Sequence, residues 1–133
     1  MPQGTGPLAR EAQSATKTIL VVEDDVAIAS FLVAAIEQET PYRAIVATDS
    51  HAALELVRHF LPNLLLLDYW LPDMNGIDLY DRLKEVAPVP AILMTASRQL
   101  PQEQLQQRQL ITFRKPFELE VFLATIETLL ISP

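Results

Sequence analysis

Cysteine is absent from the 133 residues, which excludes disulfides, iron–sulfur clusters, thiolate zinc sites and cysteine nucleophiles. Glycine is almost as scarce. Of three, Gly4 and Gly6 lie near the N-terminus and Gly76 alone serves the body of the chain. One glycine cannot build a Walker loop or a G-x-G-x-x-G dinucleotide turn, so the common nucleotide-binding loops are excluded. The only imidazoles, His51 and His59, are eight positions apart, which argues against a histidine metal site. Positive charge is also in short supply: ten Lys and Arg face seventeen Asp and Glu, for a net charge of −7. A nucleic-acid-binding surface has the opposite balance, so direct DNA or RNA binding is not expected. No apolar run approaches the length of about 18 residues that a membrane span requires. The first residues contain no apolar core of a secretory signal, and the expected location is cytoplasmic.

Half of the residues are apolar, enough for the core of one domain. Residues 1–16 mix Pro, Gly, Gln, Ser and Thr without apolar period and are expected to form a flexible tail, leaving 17–131 as the domain. From Thr18 onward the pattern alternates. Ile19–Val22, Tyr42–Ala47, Leu64–Leu67, Ala91–Met94 and a weaker Leu110–Phe113 read as strands. Between and after them run helical stripes: Ile28, Leu32, Ala35 and Ile36; then Ala53, Leu56, Val57, Phe60 and Leu61, stopping at Pro62. A third stripe runs from Ile77 to Ala87 through Tyr80, Leu83 and Val86. Leu119, Phe122, Leu123, Ile126 and Leu130 give the last. Five strand–helix units in succession predict a doubly wound α/β fold, a parallel sheet with helices on both faces.

Ligands of such folds bind beyond the carboxyl ends of the strands. The residues there are Glu23, Asp24, Asp25, Asp68, Thr95 and Lys115. Carboxylates gathered at one sheet edge repel one another unless a cation joins them, and a hard oxygen-liganded ion, Mg²⁺ by preference, resolves the conflict. Lys115 adds a fixed positive charge, Thr95 a hydroxyl, and Ala96 leaves room for a bulky anion. A metal, an ammonium and a hydroxyl around one carboxylate suit a phosphoryl group attacked in line by a carboxylate oxygen. Asp68 is the natural nucleophile, because it ends a central, wholly apolar strand. Asp25 reads as a helix cap rather than a ligand. His51 and His59 read as ordinary surface positions, and Trp70 as a rim aromatic.

ILVVEDD (19–25), LLLLDYWLPDMNG (64–76), ILMTA (92–96) and FRKPF (113–117), in that order and with Asp24 and Asp68 44 positions apart, resemble the receiver domain of two-component response regulators. The resemblance covers roughly residues 17–131 and implies a CheY-like, flavodoxin-like (βα)5 sandwich with strand order 2-1-3-4-5. It implies that Asp68 accepts phosphate from a sensor histidine kinase or a phosphotransfer protein. Asp24 would ligate Mg²⁺ directly, Glu23 through water, and Trp70 through its backbone carbonyl. Thr95 and Lys115 would bind the phosphoryl oxygens, and the Lys115–Pro116 bond would be cis. The chain is then a switch rather than an enzyme in the ordinary sense, with only self-catalysed phosphotransfer and dephosphorylation.

Two departures from the family pattern bear on output. The position three before the lysine, usually Tyr or Phe, is Thr112, and Phe113 beside it is expected on the opposite face of its strand. The segment between Ser97 and Arg114 holds six glutamines and Pro101. Its helix has mainly Leu105 as an apolar anchor, flanked by Leu100 and Leu110, and residues 97–109 are expected to be short, mobile or displaced. Few residues follow the last helix, so a stand-alone receiver is expected, with output through a separate protein or self-association. The rival reading is an interaction module of the same fold that carries no phosphate. An aspartyl-phosphate hydrolase would need an acid two residues after the nucleophile, where this chain has Trp70. A flavin-binding relative would need a Ser/Thr/Gly-rich loop after the first strand.

Overall fold

A computed structural model of the chain describes residues 16–97 and 99–131. The expected tail, except for Thr16, lies outside the described residues. Five strands, β1 (Thr18–Val22), β2 (Arg43–Ala47), β3 (Leu64–Asp68), β4 (Ala91–Thr95) and β5 (Ile111–Arg114), pair in parallel in the order β2-β1-β3-β4-β5. The connecting helices are α1 (Val26–Glu39), α2 (Ser50–Val57), α3 (Gly76–Leu83), α4 (Gln102–Arg108) and α5 (Leu119–Ile131). This is the expected doubly wound fold.

Period-two alternation along each strand divides the core between the two faces of the sheet. Leu20, Val22, Leu65, Leu67 and Leu93 point to one face, where Ala53 and Val57 of α2, Ile77, Leu79 and Leu83 of α3, and Leu105 of α4 cover them. Ile19, Val21, Leu64, Leu66, Ile92 and Met94 point to the other, beneath Leu32 and Ile36 of α1 and Phe122, Ile126 and Leu130 of α5. Because both faces are covered, β3 and β4 are buried at every position.

Two helices stop short of their apolar stripes. α2 ends at Val57, where the amides of His59 and Phe60 both turn back to the Leu56 carbonyl, and Leu61 is exposed rather than core. α3 ends at Leu83. The amides of Val86 and Ala87 close on the Leu83 carbonyl, which leaves Val86 outside and Ala87 inside. Strands β2 and β5 each begin one residue later than expected, at Arg43 and Ile111.

The glutamine-rich helix is short, as expected. α4 has seven residues, no side-chain cap at Pro101, and Leu105 as its single buried residue, with Leu100 and Leu110 packed at its edges. A contact not foreseen from sequence holds it to α3. Arg108 donates from Nε and Nη2 to the two carboxylate oxygens of Asp81 at 2.7 and 2.8 Å. In β5, Thr112 is exposed opposite Leu93, while Phe113 turns to the other face and packs edge-on against Phe117 and Phe122. That is the opposite-face arrangement expected of adjacent strand positions.

Candidate functional site

Parallel pairing brings the carboxyl ends of β1, β3, β4 and β5 to one edge. The register pairs Val22 with Leu67, Asp68 with Met94, and Thr95 with Arg114, so Glu23, Asp68, Thr95 and Lys115 emerge side by side. Glu23, Asp68 and Thr95 are buried, whereas Asp24 is exposed at the rim. Glu23, Asp24 and Asp68 each offer a carboxylate oxygen, and these atoms lie within 4.8 Å of one another.

Lys115 enters this group from the turn after β5. Its Nζ donates to Glu23 Oε1 at 2.6 Å and lies 3.7 Å from Asp68 Oδ2. Its backbone is held by donation of the Lys115 N–H to the Thr95 carbonyl at 2.6 Å, and the following bond to Pro116 is cis. The Thr95 hydroxyl accepts the Ser97 N–H at 3.0 Å, which fixes it in the turn after β4. Trp70 meets Asp68 through its backbone: the N–H donates to Asp68 Oδ1 at 3.3 Å, and the ring stands exposed, edge-on to Tyr69. Asp25 caps α1 by accepting the Ile28 N–H at 3.0 Å, the role read from sequence.

The electrostatics of the cluster are unbalanced. Burial, then the Glu23 charge, push the Asp68 carboxyl from 3.8 up to about 7, against the opposing pull of Lys115 and the Trp70 N–H. Three carboxylates share one ammonium, so full ionisation leaves a deficit of two positive charges. An all-oxygen donor set with that deficit fits a hard divalent cation such as Mg²⁺. On the α1 side the site opens into an apolar cleft of about 500 Å³ lined by Ile28, Phe31, Leu32 and Phe117 together with Lys115.

One more carboxylate bears on this edge and was not singled out by the sequence. Asp73, in the turn between β3 and α3, accepts the amides of Ser50 and His51 at the start of α2, at 3.1 and 3.2 Å. Its place in an LPDMNG turn suggests only a turn residue; the partner lies more than twenty positions away.

Similarity to known proteins agrees with this geometry. The chain is 41% identical over 78 residues to the DNA-binding response regulator MtrA of Mycolicibacterium paratuberculosis, a stretch that is 59% of this chain and 34% of that protein. The matched region thus spans about a third of that relative's length. A CheY-like response regulator receiver domain protein from Methanospirillum hungatei superposes with a TM-score of 0.81 at 27% identity, covering 87% of this chain and 94% of that one. The non-phosphorylated HemR receiver domain of Leptospira biflexa gives 0.75 at 33% identity, covering 86% and 94%. The family description of the response regulator receiver domain matches residues 19–127, and the chain belongs to that family of two-component signalling proteins.

Proposed function

We propose that this receiver is a phosphorylation-dependent switch in which Asp68 takes a phosphoryl group from the phosphohistidine of a sensor kinase or phosphotransfer protein. The observation that carries this reading is the cluster of buried Glu23 and Asp68 with half-buried Lys115, whose charges balance only when further positive charge arrives. An Asp68 carboxylate oxygen forms the new P–O bond as the P–N bond to histidine breaks, and the imidazole leaves with the electron pair. Glu23, Asp24 and Asp68, with the Trp70 carbonyl, would hold Mg²⁺. Bound there, Mg²⁺ supplies charge neutralisation for the carboxylates and the phosphoryl oxygens. Lys115 supplies the second positive charge and must exchange part of its contact with Glu23 for a phosphoryl oxygen. Thr95 offers a hydroxyl donor to another, since accepting the Ser97 N–H leaves its own proton free to donate.

The apolar cleft beside Lys115 supports docking of a donor protein on the α1 side. Such a donor places the reaction in the cytoplasm, and no helix among the described residues is long and apolar enough to cross a membrane. The chain's own role is that of a switch, its chemistry limited to transfer onto and loss from Asp68. Output is assigned to the face of α4, β5 and α5, toward a separate protein or a second copy. One observation favours the rival reading of a phosphate-independent interaction module: the exposed Thr112 cannot serve as a buried aromatic switch.

Intact mass after incubation with Mg²⁺ and a small acyl-phosphate donor separates the two. Gain of one phosphoryl group, lost without Mg²⁺ and lost in Asp68→Asn, is the expected result. No adduct at short times in a folded protein would leave the interaction module as the better reading.

A further inference from the structure

The loop from Tyr69 to Asn75 carries the peptide that touches Asp68, and three sets of contacts fix it. At its base the Gly76 N–H donates to the Tyr69 carbonyl at 2.8 Å, and Trp70 pairs with Asn75 in an isolated antiparallel bridge. On its inner side Leu71 and Met74 pack against the core. At its apex Asp73 Oδ1 accepts the Ser50 N–H at 3.1 Å and Oδ2 accepts the His51 N–H at 3.2 Å.

Helix α2 does not need Asp73 as a cap, because Asp49 already accepts the Ala52 N–H at 2.7 Å. Asp73 instead takes up two further orphan amides of the first turn. The contact therefore serves the loop as much as the helix. Ser50 is buried, whereas Asp73 is exposed, so the loop apex reaches over from the surface to the buried start of α2. Hydrogen bonds from Ser50, with the His51 amide, hold the Asp73 carboxyl below its usual range. Between Asp73 and the Trp70 peptide lie only Leu71 and Pro72, and proline locks one of the intervening backbone angles. A displacement of the apex is thereby passed to the peptide whose N–H rests on Asp68 Oδ1 at 3.3 Å.

We propose that Asp73 is a positioning residue for the cation site: it clips the loop apex to the amides of α2 and so holds the Trp70 peptide in place beside Asp68. The proposal rests on the reading of Glu23, Asp24 and Asp68 as the holders of Mg²⁺. It assigns part of the cation affinity to a residue that touches neither the cation nor the acceptor.

Trp70 is the sole tryptophan, so its fluorescence, with titration calorimetry beside it, reads Mg²⁺ binding directly in the full chain. The parent is compared with Asp73→Ala, Asp73→Asn and Ile126→Val, each first shown to be folded by circular dichroism. Ile126→Val removes one buried methyl group of α5 on the opposite face of the sheet and leaves both the loop and the start of α2 untouched, so it lowers stability without the positioning loss. The expected result is Mg²⁺ binding weakened about tenfold in Asp73→Ala, in the range of residues that orient metal ligands. Asp73→Asn, which keeps one acceptor oxygen, should recover part of the loss, and Ile126→Val should stay within about twofold of the parent. Equal affinities for Asp73→Ala and the parent, or an equal loss in Ile126→Val, would overturn the proposal. A parent with neither fluorescence change nor heat would overturn the Mg²⁺ reading itself, and this inference with it.

Discussion

Replacing Asp68 by asparagine should stabilise the metal-free protein, although it removes the proposed phosphate acceptor. The folded protein holds the Asp68 carboxyl at about 7 against 3.8 for the free side chain, through burial and then the Glu23 charge. At about 1.4 kcal/mol per pH unit, that rise is a penalty of roughly 4 kcal/mol on the ionised form. Asparagine carries no charge, but its amide faces Lys115 less well than a carboxylate does, so a net gain of about 1–3 kcal/mol is expected. With roughly 3–5 °C per kcal/mol for a domain of this size, the melting temperature at pH 8 should rise by about 3–15 °C. The pH dependence has a definite sign. A carboxyl whose folded value lies above its unfolded value favours the fold fully below pH 3.8, and that support is lost as pH climbs through about 7. The gap between Asp68→Asn and the parent should therefore be widest above pH 7 and should close toward pH 4. Mg²⁺ at ten times its dissociation constant should return about 1.4 kcal/mol to the parent and little to the variant. Thermal melts at pH 4, 5, 6 and 8 in chelator decide the matter. A variant that melts at or below the parent at pH 8, or a gap that widens on acidification, would refute this account of the cluster.

Two further perturbations test the scaffold around the site. A Cβ at Gly76 would lie 2.7 Å from the Asp68 carbonyl oxygen and 2.7 Å from Leu93 Cδ1, so Gly76→Ala should cost about 1–3 kcal/mol, read as a lower melting temperature. An unchanged melting temperature would show that the turn relaxes freely. Arg108→Met should release α4 from Asp81, and hydrogen exchange of residues 102–108 should quicken several-fold while α3 stays as protected as before. Equal exchange in the two proteins would show that Leu105 alone holds that helix.

The parts of the fold legible in the sequence were those governed by continuous local pattern. ILVV, LLLL and AILM admit few readings other than strands covered on both faces, and their alternation with helices gave the doubly wound parallel sheet, while its strand order came with the family resemblance. Their terminal residues followed from topology, which is why Glu23, Asp68, Thr95 and Lys115 were found before any distance was known. Helix ends were less legible. Leu61 and Val86 continue an apolar stripe past the point where the backbone has turned, since a stripe records spacing and not the hydrogen bonds that stop a helix. Asp73 and the Arg108–Asp81 pair were missed for another reason. Each joins segments more than twenty residues apart through side chains common on protein surfaces, and nothing local marks which partner such a side chain meets. Thr112 and Phe113 were placed correctly because strand alternation alone decides their faces.

The short bond between Lys115 and Glu23 has a consequence for how sensitively this domain answers its inputs. The ammonium is already engaged in the resting state, so an incoming phosphoryl group trades one ion pair for another and gains only their difference. The balance between the resting and engaged arrangements of this side chain shifts with any differential affinity, each 1.4 kcal/mol or so of preference changing the ratio about tenfold. A partner that merely prefers the lysine released from Glu23 would ready the site before any chemistry occurs, and phosphate on Asp68 would in turn strengthen that partner's grip.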